Sequence, residues 1–328
     1  TNIQPGGALI NLLSGDPYHV SRFAVKEFEQ KLIEYLQTHQ YDVIQLEGLA
    51  MAVYLQTIRK YSSAPVSLRA HNVEYMIWQR HLHSLSDYFR KQYLKIQVGR
   101  LRKFEEEIVR QVDFLIPITE VDLQQFQTLN LKARTLVIPC GINLRELQPQ
   151  KTEARYDLTY LASFDWPPNV QGLEWFLKKV WPHILHKLPN ATFAVGGRDL
   201  PGSIARMQLP GFTFTGPVKS MPDFISQGKV VVIPLLAGSG MRIKIVENMA
   251  LAKAMVSTSV GAEGIMVENG TDIILADDPG EFADKVVNLL KSQGQRQQIE
   301  KAARSKVEDH YDTFKLGHRL LNFYAEKV

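Results

Sequence analysis

The sequence predicts an α/β protein built on two doubly wound, mainly parallel sheets, and three observations carry that expectation. Short, charge-poor, β-branched runs such as Val230-Val-Val-Ile-Pro-Leu-Leu236 read as strands buried on both faces. These runs alternate with stretches of helical spacing, the pattern of strand–helix–strand crossovers. The series is interrupted once, by the polar segment 143–155 with Pro149 in its middle. A chain of 328 residues is long enough for two domains of ordinary size on either side of that break. The boundaries expected are 1–145 for the first domain and 146–312 for the second. A final helix, 313–328, is expected to pack back on the first domain.

Taken in order, residues 1–24 show no strand run. Residues 23–39 carry Phe28, Leu32, Ile33, Tyr35 and Leu36 at helical spacing. A strand follows at 41–47, a helix at 49–62 and a strand at 65–70, which runs directly into His71-Asn-Val-Glu-Tyr75. Residues 93–112 form a long charged helix, and 113–118 a strand ending at Thr119, a helix-capping residue type. Residues 134–138 make the last strand of this half. The second half opens with the strand 156–162, then the helix 169–180, entered through Trp166-Pro-Pro168 and ended by Trp181-Pro182. Strands at 191–195, 212–214, 230–236, 254–258 and 272–275 follow, and three helices close the chain at 279–292, 296–311 and 314–327.

Composition narrows the class. Hydrophobic residues at 45% and charged residues at 22% are those of a soluble globular protein. No apolar run approaches the roughly 20 residues that span a bilayer. The polar start, Thr1 to Gly7, does not read as a signal peptide. A formal charge of +4 is too mild to argue for nucleic acid as a partner. The single cysteine, Cys140, is read as a small packing residue of a protein in a reducing, cytoplasmic compartment. No Cys/His cluster has metal-ligand spacing, so neither a metal nor another cofactor is expected.

The candidate site is the stretch after the 230–236 strand. Gly238, Ser239, Gly240 and Met241 make a loop, and the helix that follows opens with Arg242 and Lys244, with Glu247 about one turn further along. A strand, a glycine loop and a helix start place unpaired backbone N–H groups and a positive dipole end together, which is an anion site. Two cations suit a diphosphate, and a carboxylate suits a vicinal diol such as a ribose. In doubly wound sheets ligands bind beyond the carboxyl ends of the strands. His71, Asp165, Gly197-Arg198 and the Arg242/Lys244 pair all lie on such loops, most simply facing one crevice between the domains.

In the second half, Phe214-Thr-Gly216, the glycine loop, Glu247-Asn-Met-Ala250, Met255-Val-Ser-Thr258, Gly261-Ala-Glu-Gly264 and Asn269-Gly-Thr-Asp272 occur in that order. The first half adds His71-Asn-Val-Glu74, the Ile118-Thr119 strand end and Val137-Ile-Pro-Cys-Gly-Ile142. With these residues the chain resembles a retaining glycosyltransferase of the GT-B fold, family 4, over about residue 40 to the C-terminus. The resemblance implies two Rossmann-like domains facing a cleft. It also implies transfer of a sugar from a nucleoside diphosphate donor (UDP or GDP type), with the anomeric configuration retained and no bound metal. The acceptor would be a glycan, a lipid-linked glycan or a protein. Glu247 matches the family glutamate that binds the donor ribose, and the backbone of Gly238 to Met241 would approach the sugar and phosphates. His71 matches the first-domain histidine that faces the donor sugar, with Asn72 and Glu74 expected to orient it. Gly197 and Arg198 fall close to where the family contacts the nucleotide.

Two departures modify this. The earlier of the family's two glutamates falls at Ser239, a neutral hydroxyl. The Arg and Lys that follow the first strand of the second domain are absent, because that loop reads Ser163-Phe-Asp-Trp-Pro-Pro-Asn169. Arg242 and Lys244 are expected to replace them from the neighbouring loop, meeting the charge that develops on the departing diphosphate. Pro5-Gly-Gly7 resembles the first glycine turn of the fold with no strand before it, so an N-terminally shortened domain is expected. Arg90, Lys91, Lys95, Arg100, Arg102 and Lys103 could bring the long helix to a membrane surface, though Glu105 to Glu107 favour a solvated helix. Two other readings stay open at this level: nucleotide-sugar binding without turnover, and sugar-nucleotide epimerisation on the same fold.

Overall fold

The computed structural model describes residues 11, 15–84, 87–129, 131–150, 152–238 and 240–326. The chain divides into two compact units, Thr1–Pro139 with Arg319–Val328, and Cys140–His318.

In the N-terminal unit the helix α1 (Lys26–Thr38) leads into strand β1 (Ile44–Glu47). After Gly48, whose φ of 83° lies in the left-handed region, the chain forms a 3-10 stretch, Leu49–Tyr54, and only then the helix α2 (Leu55–Tyr61). The single helix expected over 49–62 is thus split in two. Strand β2 (Val66–Ala70) follows, then α3 (Glu74–Ser84) and α4 (Tyr88–Gln111). The helix α4 starts five residues earlier than its apolar spacing indicates. Asp87 caps it, its carboxylate accepting from the Arg90 backbone N–H at 2.8 Å. Strand β3 (Phe114–Pro117), α5 (Glu120–Gln127) and the two-residue β4 (Arg134–Thr135) complete the series, with Thr119 capping α5 as its residue type predicts. The four strands are parallel in the order β1-β2-β3-β4.

Side chains alternate across this sheet, as the period of two requires. Leu46, Val66, Leu68, Ala70 and Leu115 enter the apolar core with Leu55, Ile58 and Phe126. The opposite face carries Gln45, Ser67 and Phe114, which meet Phe323 and Tyr324 of the last helix.

The second unit holds six parallel strands: β5 (Tyr156–Ser163), β6 (Phe193–Arg198), β7 (Phe212–Gly216), β8 (Gly228–Ile233), β9 (Met255–Ser257) and β10 (Ile274–Leu275). Their order is β10-β9-β8-β5-β6-β7. The chain winds outward from β5 through β6 to β7, then returns to the other side of β5 and winds outward again. This is the doubly wound topology that the alternating pattern predicts, and it puts the switch point between β5 and β8. Burial on both faces explains the unbroken apolar strand run. Val230 and Val232 join one core with Phe176, Trp181 and Phe282, while Val231 and Ile233 join the other with Val246, Met249 and Tyr311.

The helices of this unit are α6 (Pro167–Trp175), which continues through a π turn, α7 (Trp181–Lys187), α8 (Met221–Ser226) and α9 (Ile243–Ala250). Then come α10 (Pro279–Lys291), α11 (Gln293–His310) and α12 (Thr313–Ala325). Asp278 caps α10 through the N–H groups of Gly280 and Glu281. The first residues of α12 belong to the second unit, where Asp312 bridges to Ile142. Its last turns belong to the first, where Phe323 and Tyr324 lie edge-on to Phe114 at 5.5 and 5.1 Å. Among the described residues no helix is long and apolar enough to cross a membrane.

Candidate functional site

The β5/β8 switch point collects most of the residues singled out above. Two helices start there, α6 after β5 and α9 after β8, and neither has a side-chain cap. Each start carries a partial positive charge near half an elementary unit. Only α9 also leaves first-turn N–H groups, because α6 opens with Pro167 and Pro168, which have none, and the Asn169 N–H donates to the Trp166 carbonyl at 3.0 Å. Lys244, in the first turn of α9, reaches over to the start of α6. Its Nζ donates to Asn169 Oδ1 at 3.0 Å and lies 5.2 Å from the centroid of the Tyr160 ring. Asn169 is itself fixed on both sides. Its Nδ2 donates to the Ser163 carbonyl at 2.6 Å, and its Oδ1 also accepts from the Tyr160 hydroxyl at 3.2 Å.

This cation is partly buried. Burial lowers the Lys244 amine to a pKa of about 8, with Glu247 opposing that shift and Arg242 adding to it. Burial also raises the Glu247 carboxyl, against the pull of Lys244. Glu247 makes no side-chain hydrogen bond among the described residues.

Arg242 is placed differently from Lys244. It is only 5% exposed, packed beneath the glycine loop with its Nη1 donating to the Gly240 carbonyl. Its guanidinium lies 5.9 Å from the ring of Trp166, the residue that enters α6. Gly238 has a φ of 145°, and a Cβ there would strike the Arg242 guanidinium. Glycine at 238 is what lets the loop wrap this cation. The Arg242 side chain therefore lies against the loop and does not project from it as an arm. Gly240 also has positive φ, at 74°, and Met241 packs partly on the apolar core beneath. Ser239 lies outside the described residues.

On the other side of β5, Gly197 adopts a φ of 142° and a Cβ on it would collide with the Ala162 carbonyl, so the ends of β5 and β6 approach closely only with glycine there. The exposed Arg198 side chain bends back to β5, its Nε donating to Ser163 Oγ at 3.0 Å, with Asp165 at 3.8 Å and Asp199 at 3.7 Å. Ser163, Trp166, Asn169, Arg198 and Lys244 thus form one group around the end of β5.

His71 belongs to the N-terminal unit, just past the end of β2. Its Nε2 pairs with Glu47 Oε2, at the end of neighbouring β1, at 3.0 Å. The expectation that Asn72 and Glu74 orient His71 is corrected here in part. Glu74 pairs instead with His19 at 3.5 Å, because α3 begins at Glu74 and turns its side chain away from the strand end. Glu47 was missed because a histidine partner on an adjacent strand is set by sheet register, not by proximity in sequence. Asn169 and Trp166 were missed for a related reason: the loop was read for its absent cations. Among the described residues, no group of three or more His, Cys, Asp or Glu side chains is placed to hold a metal ion.

Two parallel α/β units in one chain, the second of them doubly wound, are the architecture of the GT-B fold. Residues 155–292 match the family described as "Glycosyl transferases group 1". A protein of Klebsiella pneumoniae described as "Uncharacterized 44.6 kDa protein in cps region" is 23% identical over 303 residues, 87% of this chain and 75% of that protein. Among solved structures the chain is similar to HepE of Anabaena in complex with UDP-glucose (TM-score 0.66, 15% identity, 91% of this chain and 82% of that one). It is similar as well to sucrose-phosphate synthase from Thermosynechococcus elongatus (TM-score 0.65, 16% identity, 92% and 78%). TarM gives a TM-score of 0.65 at 14% identity over 89% of this chain, which spans 57% of the length of TarM. Residues 155–292 thus match the group 1 glycosyl transferase family, and the chain as a whole shares the GT-B fold of these structures.

Proposed function

We propose that the protein transfers a sugar from a nucleoside diphosphate sugar to a glycan or lipid-linked acceptor in surface polysaccharide assembly. The observation that carries this reading is the meeting of two uncapped helix starts and Lys244 at one switch point. In this reading the diphosphate lies over the starts of α6 and α9. The N–H groups at the start of α9 and the Lys244 ammonium take up the negative charge that grows as the glycosidic bond breaks, and α6 adds the field of its helix start. Arg242 contributes its field from beneath the loop. Glu247 takes the ribose hydroxyls, Gly197 and Arg198 border the nucleotide, and His71 serves the sugar being transferred. The chemistry proceeds through an oxocarbenium-like transition state with the configuration retained, and cations of the protein do the work that a divalent metal would do.

Support for a UDP donor comes from the UDP-glucose complex of HepE. Support for a glycan acceptor comes from S. aureus TarM with UDP and α-GlcNAc-glycerol, and the cps-region relative fits a polysaccharide role. A cytoplasmic setting, at or near the membrane, is where such donors and lipid-linked acceptors meet. Ser239, standing where the family carries a carboxylate, favours one second reading, donor binding without turnover.

The test is a panel of nucleotides and nucleotide sugars scored by thermal shift, then by product formation in the presence of a chelator. Stabilisation by one nucleoside diphosphate and its sugar, followed by chelator-insensitive transfer with the α-anomer kept, is expected. Stabilisation without product would leave the binding reading. A flat panel would sink both.

A further inference from the structure

Where β1 and β2 form it, the face of the N-terminal sheet that α12 covers is unusual in being polar. A helix-covered sheet face is ordinarily apolar, since unpaired polar groups are costly to bury. Here Gln45 and Glu47 of β1 and Ser67 and Arg69 of β2 share that face, and the register pairs Gln45 with Ser67 and Glu47 with Arg69. Tyr324 of α12 reaches into this strip. Its hydroxyl donates to Gln45 Oε1 at 2.6 Å and meets Ser67 Oγ at 2.7 Å. With Gln45 Oε1 accepting, its Nε2 points along the strand and donates to Glu47 Oε1 at 2.6 Å. The other oxygen of Glu47 holds His71 Nε2 at 3.0 Å.

One continuous hydrogen-bonded path therefore runs from α12 to the imidazole. Its polarity is consistent from end to end: the amide of Gln45 satisfies both neighbours in one orientation only. The aromatic ring of Tyr324 already packs edge-on to Phe114, a contact that phenylalanine would make equally well. The hydroxyl is thus not required for burial. Arg69 stands beside Glu47 in register, close enough to the Tyr324 hydroxyl to influence it, and places a positive charge along the strip. At the far end Gly48 has a φ of 83°, and a Cβ there would sit 3.8 Å from His71 Nδ1. Larger side chains would cover that nitrogen, so glycine leaves it open.

We propose that Tyr324, Gln45 and Glu47 are positioning residues that fix the ring and tautomer of His71, with Nε2–H toward Glu47 and Nδ1 toward substrate. The last turns of α12 are then part of the catalytic apparatus as well as of the packing. This rests on the reading that His71 serves the transferred sugar, and the variants separate the two. It is the arrangement by which a carboxylate commonly sets a working histidine, extended here by an amide and a phenol.

The test uses the full chain labelled with ¹⁵N-histidine, with the His71 ring signals assigned by loss in His71→Asn. Tyr324→Phe and Glu47→Leu should each move those ring signals and leave the other histidines in place, while Glu47→Gln, which keeps an accepting oxygen, should largely restore them. With the nucleotide sugar that stabilises the wild type, Glu47→Leu and Tyr324→Phe should lower kcat, by about tenfold or more for the first, with KM for the donor unchanged. Unmoved ring signals in both variants would overturn the path. Loss of turnover in His71→Asn with full turnover in Glu47→Leu and Tyr324→Phe would overturn their positioning role and leave the His71 reading intact. Full turnover in His71→Asn would overturn the His71 reading itself.

Discussion

Lys244 Nζ and Asn169 Oδ1 lie 3.0 Å apart, which joins the helix behind the glycine loop to the first turn of the helix behind β5. The loop after β5 offers an amide at Asn169, and the cation arrives from the neighbouring loop to meet it. Lys244 makes that crossing by a hydrogen bond, while Arg242 lies below the loop, donating to the Gly240 carbonyl and facing the Trp166 ring at 5.9 Å.

The lowered Lys244 amine gives a pH dependence with a definite sign. A buried amine at about 8 is charged at pH 7 and progressively neutral above 8. Nucleoside diphosphate affinity should therefore fall as pH rises from 7 to 9, and binding near pH 8 should take up protons, measurable by calorimetry in buffers of different ionisation enthalpy. In Lys244→Arg, which stays charged, that fall should vanish. For stability the sign is opposite: a lysine with its folded pKa below its unfolded one disfavours folding most when both states are protonated, and this penalty is relieved as pH rises from about 8 towards the ordinary value of 10.5.

Asn169 should behave as a positioning residue for the cation. Asn169→Leu removes the acceptor of both Lys244 and the Tyr160 hydroxyl, leaving buried donors unmet at about 1–3 kcal/mol. A lowered melting temperature together with weaker diphosphate binding is expected. Unchanged values for both would show that Lys244 is held by something else.

At Gly238 a side chain meets two obstacles, a φ of 145° and the Arg242 guanidinium. Gly238→Ala should cost on the order of 1–3 kcal/mol in stability from backbone strain alone. It should also weaken donor binding, because the loop must lift off Arg242. Combining Gly238→Ala with Arg242→Ala should recover part of the stability loss by removing the clash, a coupling read from a double-mutant cycle.

Glu247 is assigned to a diol, and that assignment has its own signature. Glu247→Ala should weaken UDP or GDP clearly, while the 2′,3′-dideoxy analogue of the same nucleotide, which has no diol to lose, should bind wild type and variant alike. Equal losses for the ribose and dideoxy forms would place Glu247 elsewhere.

The fold was legible because its signal is periodic: buried parallel strands read as unbroken apolar runs, and the glycines at 197, 238 and 240 mark places where the backbone must turn or approach closely. Arg242, Lys244 and Glu247 were visible because they sit on one short stretch after such a strand. What stayed hidden were partners fixed by register and crossover. Asn169 meets Lys244 across 75 positions and Tyr324 meets Gln45 across 279, and no local spacing encodes either pair. The split helix after Gly48 was also hidden, because apolar spacing over a short stretch does not separate 3-10 from α geometry.

The most direct measurement of the central claim is calorimetric titration of UDP and of GDP into the wild type and into Lys244→Met at pH 7. The account predicts that one of the two nucleotides binds the wild type, and that Lys244→Met loses about tenfold or more in affinity, the scale of a charge-assisted hydrogen bond of about 1.5–3 kcal/mol. A wild type that binds neither nucleotide, or a Lys244→Met that binds as tightly as the wild type, would contradict it.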